Sequence, residues 1–214
     1  MQDVNQTLRQ NLAASAEMQA RLTELAGPLA RASELVLTAL LSGHKLLCCG
    51  NGGSAGDAAH LSSEIANRYD ADREGFAAID LTADHNVLTA LVNDYPAEDV
   101  FARQVRAFGR EGDVLVVFST SGNSPNIVGA LQSAKSTGLA SIAFLGKGGG
   151  ACLGLADCEL VVPSGTTARI QEAHLLLYHT LCEAIDADLV AAGRRRMGQV
   201  DDSIKPASLG PKLT

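Results

Sequence analysis

The sequence predicts a three-layer αβα sandwich around a five-stranded parallel sheet, preceded by N-terminal helices. Two observations lead there. From Lys45 onward, five short apolar runs recur, KLLCC, FAAIDL, DVLVVF, ASIAFL and CELVVP, each followed by a loop and mostly by a helical pattern. Runs that are apolar throughout, without polar alternation, belong to strands buried on both faces, as in parallel sheets built from βα units.

The segment before the first run carries the helical period. Residues 3 to 42 read as two helices, with Val4, Leu8, Leu12 and Leu22 on one stripe and Leu29, Val36 and Leu40 on the next. Gly27 and Pro28 are expected to split them. The linking helices are expected at 54–69, 84–93, 98–109 and 125–136, with a long last helix from about Ala168 to Ala192. This gives an N-terminal helical segment over 1–42, packing on the core or in an oligomer interface, a main domain over 43–196, and a loosely held tail over 197–214 with Pro206 and Pro211.

Composition narrows the function classes. The 214 residues suffice for one α/β core with an accessory element but not for two comfortable domains. The 24 acidic and 17 basic residues give a net charge of −7, and the only strong basic cluster is Arg194, Arg195 and Arg196, which argues against nucleic acid as a partner. Five cysteines, with no CxxC pair and each in an apolar setting, suit a reducing cytoplasm. No apolar leader and no window of about eighteen apolar residues is found, so a soluble chain without a removed segment is expected.

Two loops carry the candidate chemistry, CGNGGS after the first run and STSGNS after the third. In an open parallel sheet, ligands bind beyond the carboxyl ends of strands where the strand order reverses. In STSGNSPN, Ser119, Thr120, Ser121 and Ser124 offer hydroxyls, Gly122 permits a tight turn, and Pro125 suits the first position of a helix. Backbone N–H groups and the helix dipole would then favour a phosphate there, although an ordinary polar loop with an N-capping serine fits the local pattern too. No P-loop lysine accompanies it, which argues against a nucleoside triphosphate.

GNGGSAG, from Gly50 to Gly56, has the glycine content of a dinucleotide turn, and Asp80 stands where a ribose-binding acid would. Its spacing is GxGxxxG and not GxGxxG. Four residues separate His60 from Glu64, so both project from one face of the helix that begins in this turn. They form either a solvated pair or part of a metal site with partners elsewhere. On the last helix, at about 100° per residue, Gln171 and His179 lie about 80° apart, whereas His174 and His179 lie about 140° apart and should not share a site. His174, among leucines, is expected to be packed or interfacial.

Taken together, CGNGGSAGDAAHLSSE, Asn93-Asp94, GDVLVVFSTSGNSPN and ARIQEAHLLLYHTL resemble the phosphoheptose isomerase family of the sugar isomerase (SIS) domain superfamily, in order to about residue 190. The resemblance implies a flavodoxin-like SIS fold and a cytoplasmic aldose–ketose isomerase. The implied reaction converts sedoheptulose 7-phosphate to D-glycero-D-manno-heptose 7-phosphate through an enediol, the first step toward nucleotide-activated heptose and lipopolysaccharide. It implies a homotetramer with sites completed by neighbouring subunits, and one zinc ion (Zn2+) per subunit at His60, Glu64, Gln171 and His179. Substrate contacts are implied for Asn51, Gly52, Gly53, Glu64, Asn93, Asp94, Ser119, Thr120, Ser121, Ser124 and Gln171. Glu64 is implied as the base and His179 as the acid.

A related SIS group binds the replication initiator DnaA without catalysis and lacks the acid and histidine that match Glu64 and His179. Both are present here, which favours the enzyme over such a non-catalytic binding protein. Ala168 stands where some isomerases have an aspartate before the Arg-Ile-Gln run.

Overall fold

The computed structural model describes residues 3–197, with side chains through Gly193. Residues 198–214, and with them nearly all of the expected tail, lie outside the described residues, as do the side chains of Arg194, Arg195 and Arg196. Helices α1 (Val4–Arg21) and α2 (Ala26–Leu41) precede β1 (Leu46–Gly50), α3 (Gly53–Ala66), β2 (Ala78–Asp80), α4 (His85–Asp94) and α5 (Asp99–Phe108). Then come β3 (Val114–Ser119), α6 (Pro125–Ser136), β4 (Ala140–Leu145), β5 (Cys158–Val161) and α7 (Thr167–Met197). All five strands are parallel, in the order β2-β1-β3-β4-β5.

This is the αβα sandwich that the apolar runs predict. Every residue of β1 and β3 is buried, because helices cover both faces of the sheet. One core joins Val36 and Leu40 of α2, Leu61 and Ile65 of α3, and Ile170, Tyr178 and Ile185 of α7 against Phe118 and Phe144. On the other face, Val105 of α5 and Ile127 and Leu131 of α6 pack on Leu47, Leu115 and Val117. All five cysteines are buried and unpaired. Burial pushes the Cys48, Cys49, Cys152, Cys158 and Cys182 thiols up, keeping them protonated.

The boundary between the first two helices differs from the expected one. The break is a 3-10 turn over Leu22–Leu25, and Gly27 and Pro28 fall inside the first turn of α2. Proline is tolerated there because its missing N–H is among those with no intrahelical acceptor. Burial of Leu22 and the packing of Leu25 on the core fix the turn earlier. The α1 stripe also divides: Leu22 is buried, while Val4, Leu8 and Leu12 are 72%, 55% and 61% exposed. Beyond Met18, which is buried in the core, what ties α1 down is polar. Arg169 of α7 donates to the Asn11 backbone oxygen and side-chain oxygen, each at 3.1 Å, and Ser15 donates to Glu172 at 3.0 Å.

Candidate active site

The chain leaves β1 for one edge of the sheet and returns to build β3, β4 and β5 on the other side, so the order reverses between β1 and β3. Gly50 pairs with Phe118 in register, which brings the two glycine and serine loops side by side beyond the same end of the sheet. They are joined directly. Asn51 Nδ2 donates to Asn126 Oδ1 at 2.9 Å, and Asn126 Nδ2 donates to Asn51 Oδ1 at 2.8 Å. A cavity of about 430 Å³ opens beside this pair, lined among others by Gly52, Thr82, Leu88, Val92 and Tyr95.

The serine loop is held from inside and from behind. Ser119 is buried, and its Oγ accepts from the Gly122 N–H at 3.1 Å; Ser121 Oγ accepts from the Asn123 N–H at 3.2 Å. Gly122 sits at φ 63°, and a Cβ there would collide with the Gly149 carbonyl, so glycine is required on both counts. Behind it runs a second glycine segment, in which the Cys152 N–H donates to the Gly122 carbonyl at 2.9 Å and the Ala151 N–H to Asn123 Oδ1 at 2.9 Å. Pro125 opens α6, and Ser124 is its N-cap without a side-chain capping bond. That leaves the Ser124 hydroxyl and the first N–H groups of α6 without a side-chain cap, the donors an anion site uses. Thr120 is half-buried between them.

Helices α3 and α7 run side by side in the same direction. A Cβ on Gly53 would collide with the Gln171 amide, so glycine lets α7 close onto the start of α3. Seven residues on, at about 1.5 Å each, His60 lies about 10 Å further along the same face of α3. There His60 Nε2 meets Glu64 Oε1 at 2.9 Å, and the Tyr178 hydroxyl meets His60 Nδ1 at 2.9 Å. The His60 and His179 rings are edge to face, with centroids 4.9 Å apart. Ligand atoms of His60, Glu64 and His179 all lie within 4.8 Å of one another.

This donor set fits a divalent cation. Two imidazoles and a carboxylate at that spacing are a borderline-metal set, and His179 Nε2 is buried with no hydrogen-bond partner among the described residues. Burial, and then the neighbouring His60, lower the His179 pKa, so its ring is a neutral ligand at neutral pH. His174 lies apart, as its angle predicts. It is fully buried between Phe118 and Phe144, with Nε2 3.2 Å from the Leu145 carbonyl, and burial lowers its pKa to about 4.

The predicted residues thus fall into two neighbouring groups. Asn51, Gly52, Gly53, Ser119, Thr120, Ser121 and Ser124 surround the crevice end, and His60, Glu64 and His179 form the cluster along α3; Gln171 packs at the start of that helix. Asn93 and Asp94 sit on the exposed end of α4, paired with each other at 2.7 Å, between the cavity-lining Val92 and Tyr95. Asp80 does not present a free ribose acceptor, since its Oδ1 accepts from the Thr82 N–H at 2.8 Å and the Thr82 hydroxyl at 2.7 Å.

Sequence reasoning passes over four contributors. Asn126 clasps Asn51. Tyr178 and Asp57 flank His60, and each was detectable as the seven-residue neighbour of a chosen residue, Gln171 and Glu64 respectively. Arg73 donates to the Glu64 carbonyl at 2.8 Å and the Ile65 carbonyl at 3.2 Å, capping the end of α3, and pairs with Asp186 of α7 at 3.2 Å. No local pattern announces that last role.

The sequence matches the SIS domain family over residues 11–146. It is 48% identical over 164 residues to the phosphoheptose isomerases of Shewanella sp. (strain ANA-3) and Shewanella oneidensis, covering 75% of this chain and 83% of theirs. Among solved structures, a phosphoheptose isomerase from Francisella tularensis superposes with a TM-score of 0.83 at 35% identity, covering 86% of this chain and 99% of that one. Phosphoheptose isomerase GmhA from Neisseria gonorrhoeae gives 0.82 at 41% identity, covering 86% and 100%.

Proposed function

The chain belongs to the phosphoheptose isomerase family of SIS-domain proteins, and from that premise we propose that it interconverts sedoheptulose 7-phosphate and D-glycero-D-manno-heptose 7-phosphate. The observation that carries this reading is the pairing of a serine loop at the N-terminus of α6 with the His60, Glu64 and His179 cluster about 10 Å along α3 from the glycine turn. That arrangement suits a sugar phosphate anchored at one end and reacting at the other.

The reaction moves a proton from C1 to C2 through an enediol, and a second proton between the two oxygens. Glu64, half-buried on α3, takes the C1 proton and returns it to C2. His179, neutral because burial lowers its pKa, exchanges the proton of the oxygens. Ser119, Thr120, Ser121 and Ser124, with the N-terminus of α6, hold the phosphate. Asn51, Gly52 and Gly53 line the sugar chain, Asn93 and Asp94 close over it, and Gln171 reaches it from α7. Zinc, held by His60, Glu64 and His179, would supply Lewis-acid polarisation of the sugar oxygens; Gln171 of the same chain packs on Gly53 about 10 Å along α3, so it joins the ligand set only from a neighbouring subunit.

The exposed α1 stripe of Val4, Leu8 and Leu12, together with Leu175 and Leu176 of α7 at 39% and 45% exposure, supports a homotetramer in which these apolar side chains are covered. Buried thiols and the absence of any described helix long and apolar enough to cross a membrane support a cytoplasmic setting.

The test is direct. Purified protein incubated with sedoheptulose 7-phosphate should form the aldose, followed by NMR, and the ketose phosphate should raise the melting temperature where a nicotinamide cofactor does not. Glu64→Gln should lower turnover at least about a hundredfold. No aldose from the unmodified protein would remove the activity, and near-normal turnover of the variant would remove the base.

A further inference from the structure

The ring nitrogens of His60 are both engaged, and only one of them carries a proton when the imidazole is neutral. With Nε2 2.9 Å from the Glu64 carboxylate and Nδ1 2.9 Å from the Tyr178 hydroxyl, the cation-free arrangement is fixed. The Nε2–H donates to Glu64, and Tyr178 donates to Nδ1. That tautomer cannot ligate through Nε2, whose lone pair is absent. Ligation there requires the proton on Nδ1, which then donates to the Tyr178 oxygen, and the tyrosine hydroxyl must turn to another acceptor.

The structure holds a carboxylate that becomes such an acceptor by a turn of its side chain. Asp57 precedes His60 by three residues on the same face of α3, and its Oδ2 is buried without a hydrogen-bond partner among the described residues. Its carboxylate is the charge that bears most heavily on the Tyr178 hydroxyl. Tyr178 itself is 1% exposed and boxed in by Phe118 and the rings of His60 and His179. Its ring is locked, so contact with Asp57 needs a turn of the Asp57 side chain together with rotation of the hydroxyl hydrogen.

We propose that Asp57 and Tyr178 form a positioning relay that selects the His60 tautomer, with Tyr178 as donor to Nδ1 when the cation is absent and as acceptor from Nδ1–H, itself donating to Asp57 Oδ2, when it is bound. The proposal rests on the cation reading of the His60, Glu64 and His179 cluster. The protein's proton count is unchanged: one proton moves from Nε2 to Nδ1 by exchange with water, the Asp57 side chain turns toward the Tyr178 hydroxyl as that hydroxyl rotates, and Glu64 exchanges a hydrogen bond for the cation. Outer partners of a ligating histidine commonly set metal affinity by about 10–100-fold.

The experiment titrates zinc sulfate against a chromogenic chelator for the full chain and for Tyr178→Phe, Asp57→Asn and His60→Ala. In parallel, histidine 15N NMR, with the His60 signals identified by their loss in His60→Ala, reads the tautomer. The unmodified protein should bind one zinc, His60→Ala should lose it, and Tyr178→Phe should bind about 10–100-fold more weakly. Asp57→Asn should weaken binding in the same direction, and it carries the test if Tyr178→Phe does not fold. The His60 proton should sit on Nε2 without zinc and on Nδ1 with it. If the unmodified protein binds no zinc, the cation reading fails and the relay with it. If only His60→Ala loses zinc while Tyr178→Phe and Asp57→Asn bind normally, the cluster stands and the relay is overturned.

Discussion

Asn51 and Asn126, 75 residues apart in sequence, exchange two amide hydrogen bonds of 2.9 and 2.8 Å across the point where the strand order reverses. The pair ties the glycine turn to the first turn of α6 and leaves the backbone of both loops facing the crevice. Asn126→Ala frees Asn51 from its fixed rotamer. The Michaelis constant for the ketose phosphate should rise about tenfold, the equivalent of ~1.4 kcal/mol, with turnover near normal. Asn126→Asp, which still accepts from Asn51 but cannot donate, should fall between. A Michaelis constant unmoved by Asn126→Ala would leave the clasp without a role in binding.

Replacing Ser119 and Ser124 together by alanine removes the loop's innermost hydroxyl and the uncapped one at the α6 N-terminus. Steady-state kinetics should register this as weaker binding of the phosphorylated sugar, with a smaller effect on turnover. Ser119→Ala alone should also loosen the turn, since it deletes the acceptor for the Gly122 N–H. An unaltered Michaelis constant in the double variant would dismiss the phosphate cradle.

Much of this architecture is legible in the sequence because it is local. The five apolar runs mark the strands, and helix 125–136 is found at its actual bounds because Pro125 and the preceding serine set its start. Position-dependent angles separate His174 from His179 before any coordinates. The break between α1 and α2 is misread at Gly27 and Pro28 because burial of Leu22 outweighs local propensity. Contacts made by side chains from distant segments, such as Asn126 on Asn51 or Arg73 on the end of α3, leave no periodic trace.

Arg73 is the most consequential of these. Its side chain is 1% exposed, pairs with Asp186 at 3.2 Å and donates to carbonyls at the end of α3. Arg73→Ala leaves a largely buried carboxylate and unsatisfied carbonyls, so urea unfolding should report a loss of about 3–5 kcal/mol. Asp186→Asn in the same background should recover part of that loss by removing the stranded charge. A loss below about 1 kcal/mol would place the pair with ordinary surface bridges.

His174 makes stability depend on pH with a defined sign. Its folded pKa, lowered to about 4 by burial, lies below the unfolded value near 6.5, so the unfolded chain binds more protons between them. Stability is therefore complete above about pH 6.5 and declines as the pH falls toward 4. Between pH 7.5 and 5 the histidine alone should account for about 2 kcal/mol, measured as the part of the pH dependence of urea unfolding that His174→Gln abolishes. The same pH dependence in both proteins would assign the effect to other groups.

The five inaccessible thiols have a practical consequence for anyone who wishes to watch this molecule work. A maleimide dye or spin label added to the folded protein has no native cysteine to attack. A single cysteine introduced at Val92, which is 68% exposed on the cavity rim, would be the only reactive sulfur. Occupancy of the crevice then becomes readable as a change in one fluorophore, with the natural cysteines left in place.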